Sequence, residues 1–210
     1  MLLRTRSCIL RIKKLPETLI YLSLRVPKIF RLNNLGKIKY LKLTGYGNTL
    51  ILENLPNSLT HLWIDGLHIN NFAGLPSSLI KLNLLTIPMD NVIKNLPSSL
   101  ESLSLHVGKY VETYKLEDLG NIKLVSLGNV EKLKIFGHIV KMENFPATLK
   151  TLITDRMNEI PVTLPSSLTR LKITFCNTIT KLENLPKGLS YLRIDGYNNI
   201  TKLENLPYWW

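Results

Sequence analysis

The amino-acid sequence predicts a β-solenoid, in which successive coils of the chain stack and each coil adds one strand to a parallel sheet. The first observation is a segment beginning Leu-Pro that recurs along the chain in steps of 19 to 21 residues, with one longer step of 49. The second is that apolar residues follow each start at strand spacing. The third is the leucine content, 42 of 210 residues. A repeat this short cannot bury its own apolar face, so the repeats must stack.

Each repeat starts with Leu-Pro or a close variant. The clearest copy, residues 185–196, reads Leu-Pro-Lys-Gly-Leu-Ser-Tyr-Leu-Arg-Ile-Asp-Gly. The other starts are Leu15, Leu35, Leu55, Leu75, Leu96, Phe145, Leu164 and Leu206. Proline has no N–H to offer a sheet, so this part of the repeat is not a central strand. The short coil leaves little room for a helix, and we expect extended or 3₁₀-like backbone on the return path.

A strand follows each start, because its two apolar residues are two positions apart and therefore point to the same face. We expect these pairs to form the core: Leu22/Leu24, Leu41/Leu43, Leu62/Ile64, Leu82/Leu84, Leu103/Leu105, Leu133/Ile135, Leu171/Ile173 and Leu192/Ile194. A glycine often comes next, as at Gly45, Gly66 and Gly196. We expect this glycine to let the chain turn away from the strand.

The regular spacing breaks between residues 106 and 144, where we expect an irregular, enlarged coil. Two Leu-Gly-Asn segments there, eight residues apart, both resemble a repeat start. A parallel crossover takes about a dozen residues or more, so Val125/Leu127 and Leu133/Ile135 cannot both be successive strands. We predict the strand at Leu133/Ile135, and the alternative is a hairpin turning at Gly128-Asn129.

The Leu-x-x-Leu-x-Leu/Ile core resembles the strand motif of the leucine-rich repeat (LRR) family over essentially the whole chain. The Leu-Pro-Ser-Ser-Leu element is similar to the short repeats of bacterial effector proteins and to the FNIP repeats of amoebal and giant-virus proteins. Residues 175–179 and 197–200 look like variants of the FNIP element Phe-Asn-x-x-Ile. The usual asparagine after the second strand leucine is mostly replaced, by Pro27, Tyr46, Leu67, Ile87, Cys176 and Tyr197.

This resemblance implies a horseshoe-shaped solenoid with a parallel β-sheet on its concave face and few or no α-helices. We expect one repeat domain over residues 1–210, with about nine coils of 20–21 residues and no obvious polar caps at its ends. Cys8 precedes the first strand of the stack and Cys176 follows the eighth, so they lie too far apart to form a disulfide.

The sequence signals no catalytic chemistry. It contains no phosphate-binding loop, no nucleophile elbow and no histidine or cysteine spacing typical of zinc sites. We therefore expect a protein that is not an enzyme and binds no cofactor or metal. No run of 18 apolar residues is present, and arginines interrupt the N-terminus where a signal peptide would be apolar. We expect a protein that is not secreted and lies in the cytoplasm (the host cytoplasm if it is viral), with the nucleus as the alternative.

The net charge is +12, from 27 Lys and Arg against 15 Asp and Glu. Such a charge attracts polyanions, although a lysine-rich genome can produce it without a partner. In an LRR solenoid the residues flanking the strand leucines face the concave surface, where we expect an acidic protein partner to bind. Nucleic acid is the alternative, since cations beside aromatic side chains also suit bases and phosphates. The predicted contact residues are Tyr21, Tyr40, Lys42, His61, Trp63, Lys81, Lys132, Lys134, Phe136, Arg170, Lys172, Tyr191 and Arg193.

Overall fold

Fifteen short strands make up the regular structure of the described part of the chain. The computed structural model describes residues 2–4, 15–26, 29–31, 35–69, 72–85, 92–93, 95–106, 123–124, 127–137, 145–156, 160, 163–176, 179–196 and 200–203. The strands are β1 (Leu2–Arg4), β2 (Tyr21–Arg25), β3 (Ile29–Arg31), β4 (Tyr40–Ile51), β5 (His61–Ile69), β6 (Lys81–Leu85), β7 (Val92–Ile93), β8 (Ser102–His106), β9 (Lys123–Leu124), β10 (Lys132–Phe136), β11 (Thr151–Asp155), β12 (Arg170–Thr174), β13 (Lys181–Leu182), β14 (Tyr191–Asp195) and β15 (Lys202–Leu203). Within these ranges no helix occurs.

The main sheet is parallel throughout and follows the repeat. Its strand order is β1-β2-β4-β5-β6-β8-β10-β11-β12-β14, and β3 also pairs with β4. Equivalent leucines of neighbouring repeats stand side by side, as Leu22, Leu41 and Leu62 do in β2, β4 and β5. Two small parallel sheets, β7-β9 and β13-β15, lie outside this path. The predicted solenoid of stacked parallel strands is therefore confirmed.

After the irregular coil, the main sheet continues with β10. This strand pairs in parallel with β8 on one side and β11 on the other, and Leu133 lies beside Leu103 and Leu152. The predicted strand at Leu133/Ile135 is confirmed. The hairpin alternative is wrong, because Gly128-Asn129 form a turn that leads into a parallel strand, with the Val130 N–H donating to the Leu127 carbonyl (3.4 Å). Residues 107–122, 125–126 and 138–144 of this coil lie outside the described residues.

The core is a column of leucine and isoleucine side chains behind the main sheet. The strand pairs from Leu22/Leu24 to Leu171/Ile173 are at most 2% exposed. In β11 the second inward position is Thr154, which is fully buried and whose hydroxyl lies 3.4 Å from the Asp155 carbonyl. At the last strand of the path, Leu192 and Ile194 are only half-buried. The alternation rule thus assigned the buried face correctly for the strand pairs from Leu22/Leu24 to Leu171/Ile173.

The Leu-Pro segment is a tight turn closed by a hydrogen bond to the proline carbonyl. In seven repeats the N–H of the leucine three residues later donates to that carbonyl at 3.0–3.1 Å, as Leu59 does to Pro56. In five of these repeats the hydroxyl of the Ser or Thr just before this leucine donates to the preceding coil. The hydroxyls of this ladder reach carbonyls of the previous turn: Ser58 to Ile38 (2.9 Å), Ser78 to Leu59 (2.7 Å), Ser99 to Leu79 (2.7 Å), Thr148 to Val130 (3.2 Å) and Ser167 to Leu149 (2.8 Å). We call this set the hydroxyl ladder.

The asparagine before several Leu-Pro starts has a backbone role. Asn54, Asn95 and Asn184 have φ values of 55°, 58° and 57°, in the left-handed region that asparagine tolerates better than most residues. The recurrent asparagine therefore bends the chain into the Leu-Pro turn.

The predicted role of the post-strand glycines is confirmed at Gly196 and wrong at Gly45 and Gly66. Gly196 follows the end of β14 with a φ of 149°, whereas β5 continues through Gly66 (φ 68°) to Ile69. Gly45 does not turn the chain, because β4 continues through it to Ile51. It makes room instead: a Cβ at Gly45 would lie 2.2 Å from Cδ2 of Leu67.

Candidate protein-binding surface

The outward side chains of the main sheet form three columns that run across the strands. We call this surface the solvent face. Parallel pairing in register brings equivalent residues to neighbouring strands, spaced by roughly 4.8 Å. From β2 to β14, the first column is Tyr21, Tyr40, His61, Lys81, Ser102, Lys132, Thr151, Arg170 and Tyr191; the middle column is Ser23, Lys42, Trp63, Asn83, Ser104, Lys134, Ile153, Lys172 and Arg193; and the last column is Arg25, Thr44, Asp65, Leu85, His106, Phe136, Asp155, Thr174 and Asp195.

The structure places all thirteen predicted contact residues on the solvent face. Twelve are in the first and middle columns between β2 and β6 or between β10 and β14, and these two groups are separated by β8, whose three positions carry Ser102, Ser104 and His106. The predicted residues therefore fall into two groups on one surface. No observation tests their binding, and their role as partner contacts stays a prediction.

Aromatic side chains dominate the solvent face of β2, β4 and β5. The rings of Tyr40 and His61 are 4.5 Å apart and tilted by 36°, and Tyr21 is the register neighbour of Tyr40. The Lys42 ammonium lies 4.9 Å from the centre of the Trp63 ring. Tyr21, Tyr40 and Trp63 keep 48%, 40% and 38% of their surface exposed. These aromatic side chains therefore leave apolar area open to solvent.

Tyr46 extends this aromatic group, and the sequence analysis did not include it among the contact residues. It is 68% exposed, with the Arg25 guanidinium 4.8 Å from its ring centre. Its position had been read as the asparagine slot of the repeat. Because β4 continues past Gly45, Tyr46 stays at the surface beside Arg25 of β2. The only sequence signal for this was its size, since a tyrosine fits poorly in a slot that turns into the core.

His61 is held neutral by its surroundings. Partial burial, and then the charge of Lys81 beside it in the first column, lower the pKa of its imidazole. Nδ1 of the ring lies 2.9 Å from the Thr60 hydroxyl. At neutral pH His61 therefore adds a neutral ring to the aromatic group and no further positive charge.

One acidic group of this half is incompletely hydrogen-bonded. Oδ1 of Asp65 is buried and accepts no hydrogen bond within the described part of the chain. The equivalent carboxylate on β11, Asp155, accepts a hydrogen bond from the Gly137 N–H of the preceding coil.

Phe136 lies at the junction of the two halves. Its ring stacks on His106 of the neighbouring strand, with centres 4.6 Å apart and a tilt of 37°. Ser104, in the middle column beside them, is only 6% exposed. Phe136 is half-buried by this contact, so it offers less surface than Trp63 does.

Cations dominate the solvent face of β10, β11, β12 and β14. The register brings Lys134, Ile153, Lys172 and Arg193 side by side in the middle column. In the first column, the Arg170 guanidinium lies 3.8 Å from the ring centre of Tyr191. This half therefore presents a row of positive charge interrupted by one apolar side chain.

The acidic side chains of this half are already engaged within the protein. Asp195 binds Arg193, with 2.7 Å between Oδ2 and Nε, and these hydrogen bonds raise the pKa of the guanidinium. Within the described ranges, neither Lys134 nor Lys172 takes part in an ion pair. Their charges face solvent without an internal counterion.

Other kinds of site receive no support from the described residues. They contain no group of three or more His, Cys, Asp or Glu side chains that could hold a metal ion. None of their segments is a helix long and apolar enough to cross a membrane. Cys176 is buried, as predicted. Cys8 lies outside the described residues, so its predicted failure to pair with Cys176 stays a prediction.

The strand order and the leucine repeat define an LRR-like solenoid. No protein-family model and no curated protein sequence matches the chain. Among solved structures, the chain is similar to CroV588, described as a novel circular LRR protein, with a TM-score of 0.56 and 21% sequence identity. The likeness covers 86% of this chain and 34% of CroV588, so this chain spans about a third of that protein. At this identity the likeness shows the fold alone.

Proposed function

We propose that the protein is a non-catalytic scaffold that binds an acidic protein partner on the solvent face of its main sheet. The observation that carries this proposal is the aligned pair Lys134 and Lys172, which have no counterion among the described residues and flank the apolar Ile153. Charges of this kind steer an oppositely charged partner and fix its register. The exposed tyrosine and tryptophan side chains of β2, β4 and β5 are of the types enriched at the centres of protein interfaces.

The test is charge reversal on this surface. We expect Lys134→Glu with Lys172→Glu to abolish capture of acidic proteins from an extract of the source cell, while the melting temperature stays nearly unchanged. The matched control is Lys181→Glu with Lys187→Glu, two exposed lysines outside the main sheet, which changes the net charge equally. If both variants lose capture, the binding depends on net charge alone. If the Lys134/Lys172 variant captures as the natural chain does, the binding site does not include these two lysines.

Nucleic acid is the second candidate partner, and two contacts favour it. Lys42 lies against Trp63 and Arg170 against Tyr191, an arrangement that also suits stacked bases and phosphates. Such binding would weaken steeply as salt rises. A single-stranded oligonucleotide titrated in low and physiological salt distinguishes the two: tight, steeply salt-dependent binding that Trp63→Ala weakens favours nucleic acid over protein.

We further infer that the repeats are of the FNIP type and that the protein acts in the cytoplasm. The turn Leu-Pro-x-Ser-Leu and the segment 175–179 support the repeat type. Localisation of a tagged full-length chain in the source cell, or in the host cell if the source is a virus, tests the compartment.

A further inference from the structure

The middle column of the solvent face changes character along its length. It begins with Lys42 against Trp63, continues with the uncharged Asn83 and Ser104, and ends with the cationic row that starts at Lys134. The column is continuous, because every step is a register pairing between adjacent parallel strands. A single extended chain laid along it would therefore meet an aromatic group, a neutral interval and a cationic row, in that order.

The aromatic end is suited to hold an apolar side chain. Tyr21, Tyr40, Tyr46 and Trp63 lie on the neighbouring strands β2, β4 and β5, and between 38% and 68% of each residue is exposed. Exposed apolar surface concentrated in one patch is typical of interaction sites, and aromatic anchors seated in such patches carry much of the binding energy. The cations here, Arg25 and Lys42, already lie against Tyr46 and Trp63. This end therefore favours an apolar or aromatic anchor over a row of carboxylates.

The distance from the aromatic group to the cationic row sets how many residues of a ligand separate its anchor from its carboxylates. Trp63 on β5 and Lys134 on β10 are separated by three strand intervals, and Trp63 and Lys172 on β12 by five. At roughly 4.8 Å for each interval these spans are about 14 Å and 24 Å. An extended peptide rises about 3.3 Å for each residue, so the spans correspond to about four and seven residues.

We propose that the partner contributes one extended segment that lies across the strands, with an apolar or aromatic anchor on the Tyr40–Trp63 group and carboxylates, about four to seven residues away, on Lys134 and Lys172. This inference rests on the proposed function and adds to it the nature of the ligand segment and its direction across the sheet. The neutral Asn83 and Ser104 lie under the spacer and impose no charge on it.

The test uses a fluorescein-labelled synthetic peptide with one tryptophan, a spacer of about five Ser and Gly residues, and a block of glutamates. Its affinity is measured by fluorescence anisotropy against the full chain. Three further peptides replace the tryptophan with alanine, replace the glutamates with glutamine, or shorten the spacer to about one residue. The protein variants are Tyr40→Ala with Trp63→Ala, the Lys134/Lys172 charge reversal, and the Lys181/Lys187 control.

We expect removal of the peptide tryptophan, or shortening of its spacer, to weaken binding to the natural chain about tenfold or more, the loss typical of a buried interface anchor. The same peptide changes should have little further effect on the Tyr40/Trp63 variant, because the anchor has no site there. That non-additivity separates a direct contact from a change in folding. The Lys181/Lys187 control should bind as the natural chain does.

Two results distinguish this inference from the function on which it rests. If the peptide binds through its glutamates but ignores the loss of its tryptophan and the length of its spacer, the two-part segment is overturned and the acidic partner stands. If the glutamine peptide binds as tightly as the glutamate peptide, or no peptide binds at concentrations near 1 mM, both proposals fail.

Discussion

At the scale of the residue, the alternation along each strand separates buried side chains, which stabilise the fold, from outward side chains, whose replacement costs little stability. Leu103 is fully buried between equivalent leucines of β6 and β10, whereas Trp63 keeps 38% of its surface exposed. Leu103→Ala should reduce the free energy of unfolding by about 2–5 kcal/mol, because it leaves a cavity in a packed core. Trp63→Ala should cost far less. Urea denaturation of the two variants measures this, and equal losses would mean that the faces of the strands are inverted.

Cys176 illustrates how burial controls reactivity at one residue. It is 1% exposed, and desolvation by burial is the main cause that raises the pKa of its thiol. Only the thiolate attacks disulfide reagents, so both its access and its reactive fraction are low. In a Cys8→Ser variant, where Cys176 is the remaining thiol, the reaction with Ellman's reagent should be slow in the native protein and fast in urea. Equal rates in the two conditions would contradict this burial.

At the scale of the element, the Leu-Pro turns bind one coil to the next through the hydroxyl ladder. Ser78 donates to the Leu59 carbonyl at 2.7 Å, while Ser77 in the same turn is exposed. Ser78→Ala should cost about 1 kcal/mol of unfolding free energy, because it removes a hydrogen bond to a carbonyl beside the core. Ser77→Ala is the matched control and should stay within about 0.5 kcal/mol of the natural chain. If the two variants unfold at the same urea concentration, the Ser78 hydrogen bond contributes nothing to the free energy of unfolding.

At one repeat the ladder position is a glycine, and its replacement offers a gain of stability. Gly188 occupies the ladder position after Pro186, its φ is not in the left-handed region, and a Cβ there would meet only the Ser166 carbonyl oxygen, at an ordinary 3.6 Å. Gly188→Ala should therefore raise the unfolding free energy by about 0.4–1 kcal/mol through the entropy of the unfolded chain.

Gly188→Ser should add a further contribution of about 0.5–1.5 kcal/mol, because its hydroxyl can reach the carbonyl of Leu168 in the preceding turn. The difference between the serine and alanine variants in urea denaturation isolates the hydrogen bond. A serine variant no more stable than the alanine variant would show that the hydroxyl does not complete the ladder.

At the scale of the whole molecule, the net charge of +12 opposes the compact fold. Salt screens this repulsion over about 10 Å at 0.1 M. We expect the melting temperature to rise between about 10 and 150 mM NaCl, by about 2–4 °C for each kcal/mol of repulsion removed. The Lys181/Lys187 double reversal lowers the net charge from +12 to +8, two units at each lysine, and should show a smaller rise. A melting temperature that falls with salt would mean that attractive pairs outweigh the repulsion.

Much of the molecule follows from the sequence by itself. The 20-residue period and the strand-spaced leucines determined the parallel sheet, the buried face of the strands from β2 to β12 that carry the leucine pairs, and the outward position of every predicted contact residue. The physical reason is that side chains alternate strictly along a strand, so a local pattern specifies which face is buried. The chain length of a parallel crossover excluded two successive strands in the irregular coil, and the likeness of Phe136-Gly137 to Asp65-Gly66 favoured Leu133/Ile135.

Only the tertiary structure decided which groups meet across coils. The hydroxyl of Ser78 bonds to a carbonyl 19 residues earlier, Arg193 is neutralised by Asp195 while Lys134 and Lys172 are not, and Gly45 makes room for Leu67 where a turn was expected. These contacts depend on rotamers and on the close approach of neighbouring coils, which a pattern along one strand does not specify. The leucine period determines how the coils stack. The packing of the coils against one another determines which charged and aromatic side chains stay exposed on the solvent face.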